Sequence, residues 1–265
     1  MYNNFYGFNL APFNITCDPQ FFFESLSHRE ALSKLLYGIK EKKGIILLTG
    51  EVGTGKTTLC RAILDKLDPT VKVSVVFNPY FSEVQLLQAI AEDFGLQIEK
   101  KSRLDIVKKL NEFLLDVNSK GGNAVLIVDE AQHLGNRQLE QIRLLSNLET
   151  IREKLLQIVL VGQPELTDKL KQFRLRQIRQ RIFVKHDIAP LQEQEVKDYI
   201  KLRLKSAGGE KINFLPESYK VIYEFTKGIP RLINLLCDRT LIMGFVREQK
   251  IFDEEIFRAS IKEIE

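Results

Sequence analysis

The chain predicts a doubly wound parallel α/β domain over residues 1–189, followed by a small all-helical domain over residues 190–265. Three observations carry this. Short β-branched runs alternate with longer stretches of helical spacing. A glycine-rich stretch joins the first such run to the first helix pattern. After Ala189-Pro190 the β pattern stops and only helical spacing follows.

The runs "GIILLTG" (44–50), "VKVSVVF" (71–77), "AVLIVDE" (124–130), "LQIVLVG" (156–162) and "IFVKHDI" (182–188) read as strands. Their near-continuous apolar character suits strands covered on both faces. Between them, "SEVQLLQAIAEDFGL" sets Val84, Leu87, Ala91 and Phe94 on one helix face, with Ser82 as N-cap. "SRLDIVKKLNEFLLDV" gives Leu104, Val107, Leu110 and Leu114 and ends at Gly121-Gly122, and "RQLEQIRLLSNLE" supplies Leu139, Ile142 and Leu145. Beyond residue 189, four helical patterns are separated by breaks at Gly208-Gly209 and Gly228-Ile229-Pro230. There are no internal repeats and no low-complexity segments.

The stretch "LLTGEVGTGKTTLCRAIL" fits G-x-x-x-x-G-K-[ST] through Gly50, Gly55, Lys56 and Thr57, with a strand before it and a helix after it. Gly53 and Gly55 let the backbone curl so that successive N–H groups point inward as an anion nest. The following helix adds its positive N-terminal end. Gly50, Glu51, Val52, Gly53, Thr54, Gly55, Lys56, Thr57 and Thr58 are the candidate nucleoside triphosphate cradle. Lys56 reaches the β- and γ-phosphates, and the Thr57 hydroxyl binds Mg²⁺. The bland alternative is a tight glycine turn.

"AVLIVDEAQHL" ends an apolar strand in Asp129 and Glu130. Asp129 is a direct or water-mediated metal partner, and Glu130 is the candidate general base for an attacking water. The alternative is an acid-rich helix start. One strand, "VKVSVVF", intervenes between the two motifs, and the guanine-reading N-K-x-D pattern is absent, so ATP is favoured. Gln163, at the tip of "IVLVGQPEL", either hydrogen-bonds the water or γ-phosphate, or merely caps the next helix. "FRLRQIRQRIFV" clusters arginines at the entry to the last strand. Arg181 is the first candidate, and Arg179 the second, for a finger reaching into a neighbouring subunit's phosphate site; a solvated face is the alternative. Arg231, after a Gly-Ile-Pro turn, reads either as a lid arginine on the γ-phosphate or as a helix-start arginine tied to an acid.

Composition sets bounds. The 39 basic and 35 acidic residues leave a net charge of +4, too mild to argue for nucleic acid and no bar to it. Cys17, Cys60 and Cys237 are scattered, which fits buried thiols in a reducing compartment. The N-terminus lacks the basic region and apolar core of a signal peptide, and no apolar run reaches the roughly 18 residues of a spanning helix. A soluble cytoplasmic protein is expected.

These motifs, in this order, resemble those of the AAA+ ATPases, a branch of the P-loop NTPases. "GEVGTGKTTLCRAIL", "VDEAQHL", "VGQPEL", "LRQIRQRI" and "GIPRLINLLCDR" correspond to Walker A, Walker B, sensor 1, arginine-finger and sensor 2 regions. Gln163 departs from the more usual Asn, Ser or Thr of sensor 1. The opening "FYGFNLAPFNITCDPQFFFESLSHREALSKLLYGI" is similar to that of the general secretion pathway protein A (ExeA-like) family, which in turn resembles a pilus-biogenesis ATPase and, more distantly, transposition ATPases. The resemblance implies that Phe22, Phe23 and His28 lie near the adenine; a hydrophobic staple is the other reading of the phenylalanines. It covers essentially the whole chain but only the ATPase half of longer members, which continue through a membrane span to a peptidoglycan-binding region.

The expected function is an ATP-hydrolysing, Mg²⁺-dependent module that drives or gates assembly of an envelope machine, a secretion system or type IV pilus. Its expected partners are further copies of itself, in an ATP-dependent ring or filament, and a membrane protein of that machine. The alternative is an ATP-dependent DNA-binding regulator of the transposition-targeting type; basic spots such as "EKKSR" (99–103) are compatible with DNA or with a solvated helix start. Glu130 and Arg181 together argue against a non-hydrolysing switch.

Overall fold

The computed structural model describes every residue except 1, 16–18, 78, 100–101, 210–211 and 265. Cys17 and the Lys100-Lys101 part of the basic spot therefore lie outside the described residues. The first half of the chain forms α1 (Tyr2–Tyr6), α2 (Leu26–Lys40), β1 (Ile45–Gly50), α3 (Lys56–Lys66), β2 (Lys72–Val76), α4 (Glu83–Asp93), α5 (Arg103–Ser119) and β3 (Ala124–Val128). There follow α6 (Asn136–Leu145), β4 (Gln157–Gly162), α7 (Pro164–Lys171), α8 (Arg176–Arg179) and β5 (Ile182–Ile188). The remainder forms α9 (Glu193–Ser206), β6 (Asn213–Phe214), α10 (Pro216–Thr226), α11 (Pro230–Val246), β7 (Ile251–Phe252) and α12 (Glu254–Ile264).

Contacts divide the chain into two compact units. One holds residues 28–50 and 59–188; the other holds residues 1–27, 51–58 and 189–265.

In the first unit, five parallel strands run in the order β2-β3-β4-β1-β5. Every residue of β1, β3 and β4 is buried, which is why their sequences are unbroken apolar runs. The edge strand β5 alternates instead, leaving Phe183, Lys185 and Asp187 exposed. The register sets Thr49 of β1 opposite both Gly162 of β4 and Asp187 of β5. The Thr49 hydroxyl donates to the Asp187 carboxylate at 2.7 Å, tying the strand ends together. The chain order reverses beside β1, so the C-terminal edge there is a switch point of the kind that holds ligands in open α/β sheets.

Helix α4 starts at Ser82, whose hydroxyl accepts from the Gln85 amide while the Gln85 side chain accepts from the Ser82 amide, a complete capping box. Leu86, Leu87, Ile90 and Ala91 are its buried face, with Val84 and Phe94 packed alongside. In α5 the buried stripe is Ile106, Leu110, Leu114 and Val117, and the expected Leu104 is 78% exposed. Two apolar stripes overlap in that sequence, and packing selected the one ending on Val117. Leu139, Ile142 and Leu145 of α6 are buried as expected.

The second unit is an aromatic-rich core. Phe13, Phe214, Phe252 and Phe257 are almost wholly buried between α9, α10, α11 and α12. The N-terminal segment belongs to this core through Tyr6, Phe8 and Phe21. Buried Arg203 of α9 fastens it, donating from Nε to the Pro12 carbonyl at 2.5 Å and from a terminal nitrogen to the Asn14 carbonyl at 2.8 Å. Its guanidinium also lies over the Phe21 ring, 4.6 Å from the centroid. The expected end of β structure at residue 189 needs correction, because β6 and β7 form a two-residue parallel pair that sets Phe214 and Phe252 5.2 Å apart in this core. Two-residue strands carry too little pattern to be read from sequence.

Candidate functional site

The glycine loop and the start of α11 lie in the same unit. Gly53 and Gly55 take left-handed φ values of +82° and +95°, which the absence of a Cβ permits. The Glu51 carbonyl accepts from the Thr54 hydroxyl at 2.8 Å and from Lys56 Nζ at 2.8 Å, so the loop is cross-braced by its own side chains. Thr54 and Lys56 are buried, Glu51 and Val52 are exposed, and Gly55, Thr57 and Thr58 are half-buried where α3 begins. The Arg231 amide donates to the Gly53 carbonyl at 3.2 Å, and the Arg231 side chain is exposed. Pro230 at the first helical position gives α11 a start that needs no donor there. The structure thus brings Arg231 to the glycine loop.

In the sheet unit, β3 delivers Asp129 and Glu130 at the C-terminal edge. The Asp129 carboxylate is buried, its amide donates to the Val76 carbonyl at 2.9 Å, and its Oδ1 accepts the Glu130 amide at 2.9 Å. Glu130 is left-handed, with φ 53° and ψ 36°, a conformation costing a non-glycine residue about 1–3 kcal/mol. That turn swings its side chain toward β4. Gln163, N-cap of α7 without a capping side-chain bond, donates from Nε2 to Glu130 Oε2 at 3.3 Å. The structure therefore brings Glu130 and Gln163 together.

Sequence reasoning missed Gln132, which joins the two. Its Nε2 donates to Glu130 Oε2, and its Oε1 accepts the Gln163 amide at 3.2 Å. Lys169 of α7 braces the same turn from behind, donating to the carbonyls of Gln132 and Leu134; burial pushes its ammonium pKa down. The signal was the glutamine two residues after Glu130 in "DEAQ", but nothing in spacing tells which way its amide points.

The arginines lie elsewhere. Arg181 immediately precedes β5, whose first residue Ile182 pairs with Ile45 at the start of β1. It is therefore at the N-terminal edge of the sheet, a strand's length of about 20 Å from the edge carrying Glu130. It is half-buried and near Glu149, whose carboxyl is held low first by Lys154 and to a smaller degree by the Arg181 charge. Arg179 is exposed and donates to the Lys171 carbonyl at 3.1 Å, while Arg176 packs over the Phe173 ring at 4.2 Å. Phe22 is half-buried, Phe23 meets the Tyr199 ring edge-on at 5.9 Å within the aromatic core, and His28 is buried on α2.

This parallel sheet with its glycine loop, and acids at the switch-point edge, defines a P-loop protein of the AAA class, and residues 39–170 match the family model of the AAA domain. Along nearly its whole length the chain is similar to general secretion pathway protein A of Aeromonas hydrophila, with 44% identity over 248 residues, covering 93% of this chain and 45% of that protein. The chain spans less than half the length of that relative. Among solved structures it resembles the Aeropyrum pernix ORC2 protein in ADPNP-ADP complexes, with a TM-score of 0.70 and 15% identity over 96% of this chain and 71% of that one. It also resembles the Thermotoga maritima RuvB Holliday junction branch migration motor, with a TM-score of 0.62 and 19% identity over 92% of this chain and 72% of that one. At such identities the likeness shows the fold. Among the described residues no helix is long and apolar enough to cross a membrane.

Proposed function

We propose that the chain binds and hydrolyses ATP in order to drive or gate assembly of an envelope machine, a secretion system or type IV pilus complex. The observation that carries this is the 44% identity along 93% of the chain to a general secretion pathway protein. We assign residues 1–189 to the ATPase domain and residues 190–265 to a lid, in a cytoplasmic protein acting with further copies of itself and a membrane-protein partner.

Chemically, residues 50–58 cradle the phosphates with backbone N–H groups, and Lys56 adds a point charge. Glu130 accepts the proton of an attacking water that Gln163 helps to orient, and Arg231 meets the γ-phosphate. Phe23 and His28 flank the adenine. The hydroxyl of Thr57 and the carboxylate of Asp129 are hard oxygen donors suited to Mg²⁺. When bound, such an ion neutralises phosphate charge. Arg181 stands a strand's length from Glu130 of its own chain, which supports a finger acting on a neighbouring copy, with Arg179 as the second candidate.

The test is the ATPase rate of the chain, with Lys56→Ala as the inactive control, measured with and without duplex DNA at two salt concentrations. A Lys56-dependent rate indifferent to DNA supports the proposal. A tenfold, salt-sensitive stimulation by DNA would replace the envelope role with the DNA-regulator reading.

A further inference from the structure

We infer that Gln132 is the positioning residue of the hydrolytic site, fixing one oxygen of Glu130 so that the other faces the water. This rests on the reading of Glu130 as the base. Gln132 uses both ends of its amide: Nε2 donates to Glu130 Oε2, and Oε1 accepts the backbone N–H of Gln163 at 3.2 Å. Gln163 Nε2 also donates to Glu130 Oε2, at 3.3 Å. Both side-chain amides thus converge on the same carboxylate oxygen, and among the described residues no hydrogen bond engages Oε1.

The surroundings are built around this amide. A Cβ at Gly162 would lie 2.9 Å from Gln132 Oε1 and 3.3 Å from the Gln132 backbone nitrogen, so the amide passes closely over the end of β4. Behind Gln132, Lys169 holds its carbonyl and that of Leu134. Side chain and backbone are therefore both fixed. A carboxylate on a left-handed turn swings freely unless something anchors it, and here two amides anchor one oxygen while a third group locks the turn. In the reaction, Oε1 takes the water's proton as the water oxygen bonds to phosphorus. The bond from phosphorus to the leaving diphosphate breaks, its electron pair departing with ADP. Holding the acceptor oxygen within a fraction of an ångström matters, since a 1 Å displacement costs about 10²-fold in rate.

The experiment compares Gln132→Met, which keeps length without hydrogen bonds, with Gln132→Asn, Glu130→Gln and the double variant Gln132→Met/Glu130→Gln. ATP affinity, turnover and melting temperature are read for each. The expected result is affinity within twofold of the parent and kcat lowered roughly 10- to 100-fold in Gln132→Met, with little change in melting. In the Glu130→Gln background the Gln132 substitution should cost nothing more, because there is no base left to position. Parental kcat in both Gln132 variants, alongside a dead Glu130→Gln, overturns the positioning role and leaves the reading of Glu130 intact. So does a matched loss of affinity and melting temperature in both Gln132 variants, which marks a structural residue. Parental turnover in Glu130→Gln overturns the assignment of the base, and this inference with it.

Discussion

The carbonyl of Gly53 accepts the amide of Arg231 at 3.2 Å, and a Cβ on Gly53 would lie 2.5 Å from the Cβ of Arg231. The glycine loop and the first turn of α11 are therefore in contact with no room for a methyl group between them. Gly53→Ala should suffer twice, from the clash and from a φ of +82° that alanine adopts poorly. We expect a lower melting temperature and at least a tenfold loss of ATP affinity. Calorimetric titration and a thermal melt check both; unchanged values would mean the contact gives way without cost.

Arg231→Ala is a separate matter, since alanine retains the amide and the Cβ that touch Gly53. Only the guanidinium goes. Affinity for ATP should fall more than affinity for ADP, because the proposed contact is to the γ-phosphate. Titrations with both nucleotides decide this, and equal losses would assign Arg231 to holding the helix.

Lys56→Ala and Glu130→Gln should fail at different steps. The first removes a charge at the phosphates and should abolish nucleotide binding. The second retains the shape of the turn and should bind ATP normally while hydrolysing it at least 10²-fold more slowly, as an amide holds water but does not take its proton. Binding and single-turnover assays on the same samples separate the two.

Arg181→Ala should also be nearly inactive, since a finger is worth roughly 10³–10⁵ in rate. Mixing it with Glu130→Gln should restore activity. In a random one-to-one mixture with head-to-tail packing, about one interface in four combines an intact Glu130 with an intact Arg181. A mixture no better than its parts, with subunit exchange shown by a label, would remove Arg181 from the role and pass the test to Arg179.

Cys237 is wholly buried, and burial pushes its thiol pKa well above the ordinary value. The thiolate is the reactive form, so Cys237 should resist alkylation at neutral pH until the protein unfolds. Mass spectrometry of native and urea-treated samples checks this; rapid native labelling would imply that its unit opens readily.

What could be read in advance follows from where the signal lies. Strands β1, β3 and β4 are covered on both faces, so their sequences show it, and Ser82 announces the start of α4. Leu104 lies outside the buried face because two apolar stripes share one helix sequence, and only packing chooses between them. The pairing of Phe214 with Phe252 depends on residues far apart in the chain. The place of Gln132 depends on one left-handed residue, Glu130, whose conformation redirects the chain after the strand. Glutamate has no propensity that advertises such a turn.

Arg181 and Glu130 lie at opposite edges of one sheet, and this has an end effect. Where Arg181 acts on a neighbouring copy in head-to-tail packing, each copy receives its finger from one side and supplies one on the other. In an open filament, one terminal subunit then lacks a donor beyond it and stays idle, whatever the filament's length. Activity per subunit would climb as filaments grow and level off once ends are rare, whereas a closed ring would have no idle member. The dependence of turnover on chain concentration would thus carry a signature of shape, readable without imaging a single particle.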